Sequence, residues 1–224
     1  MYLEVKNLVK EYIQGDHTTK ALNGVSLSIS GGEFFSITGR SGSGKSTLLN
    51  IIAGLTVPTS GSVLWDGRDI FALSDKDISM YRNAGIGCVP QQYSVLSNLT
   101  VLDNVRLPFH LAKRGGDSGK DAHRLLELVG IGKLANRMPK RLSGGQLKRV
   151  AIARAMMNGP GLLLADEPTG DLDAQTTGEI MRIFRKVADE GTAVLMVTHD
   201  LDTTEYSDRR FDMNAGVLGQ ATPS

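Results

Sequence analysis

The sequence has 224 residues, of which 41% are hydrophobic and 22% are charged, and its formal net charge is +1. This length and composition are those of one ordinary globular domain, or of one domain with a subdomain. A net charge so near zero excludes a protein built to neutralise a nucleic-acid backbone, so we expect no nucleic-acid partner. The single cysteine, Cys88, excludes an internal disulfide and a multi-cysteine zinc site.

The first third of the chain has the pattern of short strands. Runs rich in apolar and β-branched residues predict strands at 2–8, 25–29, 33–38 and 62–65. The third run leads into a loop rich in glycine and serine, after which 46–55 shows helical apolar spacing that stops at Gly54. This segment is therefore expected to be a strand–loop–helix unit.

The remainder alternates helices with strands. We expect strands at 85–89, 161–166 and 193–197, and helices at 101–113, 119–130, 146–157 and 174–188. Asp200 is a candidate cap for one more helix. This alternation predicts an α/β fold with a mainly parallel sheet, whose ligand site lies at the carboxyl ends of its strands. No apolar run reaches the length of a membrane span, so any membrane role is expected to come through a partner.

Residues 39–46 have the pattern G-x-x-x-x-G-K-[ST] between a predicted strand and a predicted helix. In such a loop the glycines let the backbone wrap around phosphates, Lys45 reaches the β and γ oxygens, and Ser46 can ligate Mg²⁺. The flanking strand and helix disfavour an ordinary loop. Nucleotide contacts are therefore expected from Gly39, Arg40, Ser41, Gly42, Ser43, Gly44, Lys45, Ser46 and Thr47.

Two adjacent acids, Asp166 and Glu167, lie at the end of the predicted strand at 161–166. Asp166 ends this strand, where a carboxylate can hold a Mg²⁺-bound water, and Glu167 is placed to orient and deprotonate the attacking water. The alternative is a pair of surface acids before Pro168, which the fully apolar strand leading into them disfavours. A metal, a cationic clamp at Lys45 and a positioned water are what phosphoryl transfer requires.

Three other residues are candidates for the same site. His199 follows the strand at 193–197 and is expected to bond the γ-phosphate and orient the water, a structural histidine being the alternative. Gln91 follows the strand at 85–89 and can ligate Mg²⁺ or sense the γ-phosphate; we prefer it to its neighbour Gln92. Tyr12 can stack on adenine, although a half-buried strand aromatic fits almost as well.

The residues Leu142–Gln146, LSGGQ, begin the helical pattern at 146–157. Adjacent glycines after a serine leave backbone N–H groups free at a helix start, whose partial positive charge attracts phosphate. The alternative is a serine N-cap with the glycines of a tight turn. The presence of a separate phosphate cradle favours an anion site, with Ser143, Gly144, Gly145 and Gln146 as its contacts.

Together these motifs resemble the nucleotide-binding domain of ABC transporters over nearly the whole chain. Gly39–Thr47 matches the family's Walker A motif, Gln91 its Q-loop, Leu142–Gln146 its signature, Leu162–Asp166 with Glu167 its Walker B, Gly170–Asp173 its D-loop, His199 its switch histidine and Tyr12 its aromatic A-loop. The resemblance implies a P-loop NTPase of ABC type, with a mainly parallel sheet core, an antiparallel β subdomain and a helical signature subdomain. It places the core and β subdomain at about 1–90 and 158–224, and the helical subdomain at about 92–157, within one domain at 1–224.

The resemblance also implies a reaction and an assembly. The ligands are ATP and Mg²⁺, with Ser46, Gln91 and Asp166 at the metal, Asp173 among the nucleotide contacts, and Glu167, His199 and Lys45 as catalytic residues. ATP is hydrolysed to ADP and phosphate. Two copies bind head to tail with two ATP molecules between them, so that Ser143 and Gly145 of one copy face the ATP of the other.

The stretch 90–108 is similar to the ATPases of lipoprotein release, macrolide export and antimicrobial-peptide export. This similarity implies a peripheral subunit on the cytoplasmic face of the membrane that powers a separate integral membrane permease. A mechanical signalling subunit like the cell-division ATPase is the alternative. DNA-repair ATPases with this signature need coiled-coil or zinc-binding insertions. The chain has neither the heptad repeats nor the cysteines for such insertions. Departures from the family pattern are Arg40, Pro90, Leu147 and Lys148.

Overall fold

The structure, a computed structural model, describes residues 2–15, 17–112 and 115–220. The last residue of the predicted helix at 101–113 and both ends of the predicted domain at 1–224 lie outside these ranges. In chain order the strands and longer helices are β1 (Tyr2–Gln14), β2 (His17–Ser30), β3 (Phe34–Thr38), α1 (Lys45–Ile52), β4 (Ser60–Trp65), β5 (Arg68–Asp69), α2 (Asp75–Met80), β6 (Ile86–Val89), α3 (Val101–Leu111), α4 (Ser118–Leu128), α5 (Gly144–Met156), β7 (Leu162–Asp166), α6 (Ala174–Asp189), β8 (Ala193–Val197), β9 (Arg209–Asn214) and β10 (Val217–Gln220). Short 3₁₀ helices lie at Ile70–Ala72, Gly132–Leu134, Pro139–Arg141 and Asp202–Tyr206, and a π-helical turn lies at Tyr81–Gly85.

A six-stranded sheet in the order β10-β9-β3-β8-β7-β6 forms the centre of the fold. Strands β9, β3, β8, β7 and β6 are parallel to one another, and only β10 is antiparallel to its neighbour. The carboxyl ends of β3, β7 and β8 therefore open on one edge of the sheet, which is where the sequence predicts the ligand site. The predicted α/β fold with a mainly parallel sheet is confirmed.

Both faces of the central sheet are covered at its middle strands β3, β7 and β8, whose residues are almost all buried and mostly apolar. Along β3, Phe34 belongs to the core shared with α3, α4, α5 and α6, whereas its neighbour Phe35 belongs to the core shared with α1 and the second sheet. Leu163 and Leu164 of β7 likewise belong to the two different cores, since successive side chains of a strand point to opposite faces of the sheet. The site is thus carried by a rigid sheet packed on both sides.

The second sheet is antiparallel, with the order β2-β1-β4-β5. The strands predicted at 2–8 and 25–29 are parts of the much longer β1 and β2, which pair over most of their length as far as the turn at Gln14↔His17. This sheet supplies the antiparallel β layer that the family resemblance implies. The boundaries between the core with its β subdomain, at about 1–90 and 158–224, and the helical subdomain, at about 92–157, stay a prediction.

Three features differ from the sequence-based expectation. Helix α2 was not predicted because none of its six residues is buried, so it has no apolar stripe. The hairpin β9–β10 was not predicted either, because Arg209, Arg210 and Asp212 leave β9 with only two apolar residues. The expectation that Asp200 caps a helix was wrong: the element is a 3₁₀ helix whose N-cap is Leu201, and the Asp200 carboxylate accepts only the Asp202 N–H, at 3.1 Å.

Among the described residues, no helix combines the length and apolar composition that crossing a bilayer requires.

Candidate nucleotide-binding site

The loop at 39–44 joins the carboxyl end of β3 to the start of α1 and follows a path that only glycine permits at two points. Gly39 and Gly44 have φ angles of +146° and +110°. A Cβ on Gly39 would lie 2.3 Å from the carbonyl oxygen of Met213, and one on Gly44 would lie 2.3 Å from that of Ala21. The loop is therefore pressed against the backbone of two other strands, which fixes its shape.

The hairpin β9–β10, which was not predicted, supports this loop. The N–H of Gly216, in the turn of the hairpin, donates to the carbonyl oxygen of Ser43 at 2.9 Å, and the carbonyl of Gly216 accepts from the Asn23 N–H at 2.8 Å. The turn runs through Ala215 and Gly216, whose φ angles are both positive. An Asn-Ala-Gly turn between two short runs is the sequence signal that identifies this hairpin.

Lys45 begins α1 and is 7% exposed. Its ammonium Nζ donates to the carbonyl oxygens of Gly39, at 2.6 Å, and of Arg40, at 3.0 Å. An ammonium group has three hydrogens, so one stays free to reach a ligand. The lysine is thereby held across the loop as a fixed positive charge at the place where phosphate oxygens would lie.

A cavity of about 440 Å³ opens beside the loop. It is lined by Ala21, Ser41, Gly42, Gly44, Lys45, Ser46, Thr47, Gln91, Glu167 and His199. The fold thus brings together the predicted phosphate loop with Gln91, Glu167 and His199, which come from three separate strand ends.

Ser46 and Asp166 meet at the inner wall of the site. The hydroxyl of Ser46 donates to Oδ1 of Asp166 at 3.2 Å, which joins the first turn of α1 to the end of β7. Burial raises the pKa of Asp166 above its ordinary value, and the hydrogen bond from Ser46 opposes this rise. The pair presents two oxygen atoms of the kind that Mg²⁺ prefers.

Glu167 has an unusual backbone conformation, with a φ angle of +43°. Its N–H donates to the carbonyl oxygen of Val197 at 2.9 Å, which ties it to the end of β8. Its carboxylate Oε2 lies 2.8 Å from Nδ1 of His199 and also accepts the His199 backbone N–H at 3.2 Å. This direct contact between the two candidate catalytic residues was not predicted, because only the pairing of β7 with β8 brings them together.

The LSGGQ loop begins α5 and forms a complete capping box. The Ser143 hydroxyl accepts the Gln146 N–H at 3.3 Å, and the Gln146 side chain accepts the Ser143 N–H at 3.1 Å. The N-cap alternative is therefore correct as local structure, but it leaves the N–H groups of Gly144 and Gly145 without an acceptor inside the helix. None of these residues lines the cavity next to the glycine-rich loop of the same chain.

Five other predicted nucleotide contacts also lie outside the cavity lining: Gly39, Arg40 and Ser43 of the loop, together with Asp173 and Tyr12. Asp173 is the N-cap of α6 and accepts the N–H of Thr176 at 2.9 Å and its hydroxyl at 2.7 Å. These hydrogen bonds hold the pKa of Asp173 below its ordinary value. Tyr12 lies on β1 and is 45% exposed, with the ammonium of Lys10 at 5.0 Å from its ring centre.

A comparison with known protein families identifies the chain. The family model described as ABC transporter matches residues 22–170, which is more than half of the chain. The chain belongs to the ABC transporter family. The family resemblance drawn from its motifs is confirmed.

Relatives within the ABC transporter family have two different architectures. The macrolide export ATP-binding/permease protein MacB of Chlorobaculum tepidum is 44% identical over 96% of this chain, which spans only 33% of that protein. The lipoprotein-releasing system ATP-binding protein LolD of Shewanella frigidimarina is 43% identical over 96% of this chain and 91% of its own length. The chain thus has about the length of LolD and about a third of the length of MacB.

Solved structures of ABC cassettes have the same fold. The cassette MJ0796 of Methanocaldococcus jannaschii, described as dimeric, is 40% identical and superposes with a TM-score of 0.88 over 99% of this chain and 100% of its own. A second structure of MJ0796, a dimeric post-hydrolysis state bound to ADP and phosphate, superposes equally well. The predicted ABC-type fold is confirmed, whereas the roles of individual site residues stay predictions.

Proposed function

We propose that this chain binds and hydrolyses ATP and uses the cycle to drive a separate integral membrane permease. The observation that carries the proposal is the cavity of about 440 Å³, in which the glycine-rich loop faces Gln91, Glu167 and His199. A fixed cation, a carboxylate and a histidine at the carboxyl ends of parallel strands form a site for in-line phosphoryl transfer to water. The ATP-binding names of MacB and LolD support the same activity.

The residues present fit a bound Mg²⁺ ion. Mg²⁺ is usually held by one or two protein oxygen ligands together with substrate phosphates and waters. The hydroxyl of Ser46 and the carboxylate of Asp166, 3.2 Å apart, provide such oxygens, and the Gln91 side chain is the third candidate. When bound, the ion supplies positive charge against the phosphate oxygens.

The side chains of Lys45, Glu167 and His199 have separate roles in the proposed reaction. Lys45 stabilises the negative charge that develops on the β and γ oxygens. Glu167 takes the proton of the attacking water as the water oxygen bonds to the γ-phosphorus and the bond to the β–γ bridging oxygen breaks. The His199 backbone N–H donates to Glu167 Oε2 at 3.2 Å, and the His199 ring nitrogen Nδ1 lies 2.8 Å from the same oxygen; these two contacts fix the direction in which the carboxylate points.

The active form is proposed to be a head-to-tail dimer. The signature residues of one copy lie away from its own nucleotide cavity, yet their free N–H groups at the start of α5 suit a phosphate. A second copy related by a twofold axis brings Ser143 and Gly145 to the ATP of the first. The dimeric structures of MJ0796 support this arrangement.

The membrane partner is proposed to dock beside the residues that follow Gln91. A groove of about 480 Å³ lies there, lined by Gln92, Tyr93, Ser94, Val95, Ser97, Pro139, Lys140, Leu147 and Asp171. Its floor combines residues after β6 with the start of α5, so a helix seated in it would contact both. The names of MacB and LolD support export or lipoprotein release, with this chain bound peripherally on the cytoplasmic face.

Phosphate release from ATP by the purified chain tests the catalytic proposal. Lys45→Met removes the fixed cation and should lower kcat at least 100-fold, because it removes charge stabilisation in the transition state. Lys186→Met removes an exposed lysine on α6 and should leave kcat unchanged. Equal activity of the two variants would contradict the proposed site.

Capture of the tagged chain from detergent-solubilised membranes tests the partner. The proposal expects a stoichiometric integral membrane protein, retained when Lys186 is changed to Met and lost when Tyr93 in the groove is changed to Glu. Capture of a membrane protein that moves no substrate in reconstituted vesicles would indicate signalling instead of transport. Recovery of nucleic acid without a membrane protein would contradict the proposal.

A further inference from the structure

Lys148 is a buried lysine two residues after the signature, at one of the positions where the sequence departs from the family pattern. It is 2% exposed and lies in α5, a helix with no exposed residue. It lies on the same face of α5 as Gly145 and Ile152, and this spacing is the sequence signal for its burial. Burial of an ammonium group is costly unless it is hydrogen-bonded, so its partners matter.

The Lys148 ammonium contacts the segment that follows β6. Its Nζ donates to the carbonyl oxygens of Pro90, at 3.1 Å, and of Gln91, at 3.0 Å. It also lies 5.2 Å from the ring centre of Tyr93, a distance at which the ring face attracts a cation. Burial lowers the pKa of Lys148, and Asp171 and Asp166 oppose this effect.

Helix α5 contacts the same segment at two more points. The guanidinium of Arg154 donates to the carbonyl oxygen of Ser94 at 2.7 Å. The hydroxyl of Tyr93 packs so closely on Gly144 that a Cβ there would lie 2.6 Å from it. Segment 90–94 is therefore attached to α5 near its first turn, at its middle and near its end.

We propose that Lys148 is a positioning residue that fixes the backbone of Gln91 to α5, so that Gln91 and the signature of the same copy move together. The inference rests on the proposed ATPase function. Gln91 lines the nucleotide cavity, while Ser143 caps the first turn of α5, which in a dimer faces the other ATP. A displacement of Gln91 by nucleotide is thereby transmitted through Lys148 to the second site, which is a coupling between two sites.

A lysine suits this task because of its hydrogens and its charge. The ammonium donates to two carbonyl oxygens and keeps a hydrogen towards the Tyr93 ring. Charge-assisted hydrogen bonds are roughly twice as strong as neutral ones. Glutamine has a neutral amide with two donors, whereas methionine has none and so removes the donor of both carbonyl oxygens.

Steady-state kinetics test the role of Lys148. Lys148→Met should raise the KM for ATP and the Mg²⁺ concentration for half activity by about ten-fold each, since Gln91 is no longer held. Lys148→Gln should fall between the wild type and Lys148→Met, and Lys148→Arg should restore most of the loss. Lys186→Met, on the exposed face of α6, is the matched control and should match the wild type.

Hydrogen exchange distinguishes positioning from a merely structural role. In a Glu167→Gln background, ATP should protect the amides of 91–94 and of 143–146 together; Pro90 has no amide hydrogen. The added Lys148→Met change should retain protection at 91–94 at saturating ATP and lose at least half of it at 143–146. The proposal would be overturned if ATP protects both segments in Lys148→Met and if the KM for ATP and the Mg²⁺ concentration for half activity of this variant lie within two-fold of those of Lys186→Met.

Two further controls keep this outcome distinct from other failures. If Lys148→Met does not fold, Lys148→Gln decides by the same criteria, with its thermal unfolding compared with that of Lys186→Met. If the wild-type chain releases no phosphate from ATP, the proposed function fails. Hydrogen exchange would then still decide whether the two segments are coupled. The coupling is supported if bound ATP protects 91–94 and 143–146 together and the Lys148 variants lose this joint protection.

Discussion

At the scale of single residues, the nucleotide site depends on backbone conformations that are unfavourable elsewhere. Glu167 has a φ angle of +43°, which costs a non-glycine residue about 1–2 kcal/mol. Its N–H bond to Val197 and its two contacts with His199 offset this cost and aim its carboxylate into the cavity. Such strain is typical of positions that are held for chemistry.

The same reasoning predicts unequal costs for two substitutions in the glycine-rich loop. Gly44→Ala should lower the free energy of unfolding by about 2–4 kcal/mol, because its Cβ would lie 2.3 Å from the carbonyl oxygen of Ala21 at a positive φ. Gly42→Ala also has a positive φ, but its Cβ meets no atom within 4 Å, so it should cost only about 1 kcal/mol. Urea denaturation measures both, and equal losses would contradict the close packing of the loop.

At the scale of elements, the helices that follow the signature serine and the D-loop, α5 and α6, both begin with side-chain caps. Ser143 closes a capping box on α5, and Asp173 caps α6 through Thr176. The caps set where each helix starts, and therefore where the signature and the D-loop stand on the surface.

The cap of α6 predicts a pH dependence of stability. Hydrogen bonds from the N–H and hydroxyl of Thr176 hold the pKa of Asp173 below its ordinary value of 3.8. The stabilisation is therefore fully present above that value and is lost as the pH falls through the lower pKa of the folded state. Asp173→Asn keeps an acceptor that does not titrate, so its urea midpoint should fall less between about pH 6 and about pH 3 than that of the wild type.

The matched control for this measurement is Asp121→Asn, which changes an exposed aspartate in the first turn of α4. It should lose stability with acid as the wild type does. If Asp173→Asn and Asp121→Asn have the same acid dependence, Asp173 does not stabilise α6 through its charge.

At the scale of the whole molecule, the proposed active site is divided between two copies. The cavity of one copy holds the glycine-rich loop, Gln91, Glu167 and His199, and its signature lies elsewhere. In the proposed dimer, each ATP therefore contacts the signature of the partner subunit.

A mixing experiment tests this division. Lys45→Ala inactivates the cavity and Ser143→Arg inactivates the signature, so each variant alone should hydrolyse almost no ATP. A dimer of one with the other contains one site with both halves intact. Since about half of the dimers in an equal mixture are of this kind, the mixture should recover about a quarter of the wild-type activity. No recovery would indicate that each copy completes its own site.

The sequence predicted the order of strands and helices and the residues of the cavity well. Buried strands such as β7 and β8 could be predicted because they consist almost entirely of apolar residues. The glycine-rich loop lies between β3 and α1, as its sequence pattern predicts. These features depend on local composition and spacing, which a single sequence contains.

What was missed depends on contacts between distant segments. The bond between Gly216 and Ser43 requires the β9–β10 hairpin to pack beside β3, and no local pattern encodes that placement. The contact between Glu167 and His199 follows from the register of β7 with β8. Lys148 was noted as a departure from the family pattern, but its carbonyl partners are 57 and 58 residues away.

Size-exclusion chromatography of Glu167→Gln tests whether ATP holds two copies together and whether its hydrolysis to ADP and phosphate separates them. This variant keeps the ATP contacts and lacks the base, so it should hydrolyse no ATP, be monomeric without nucleotide and form a stable dimer with ATP and Mg²⁺. Adding Lys45→Met should abolish the dimer. A Glu167→Gln variant that binds ATP and stays monomeric would contradict the proposed dimer.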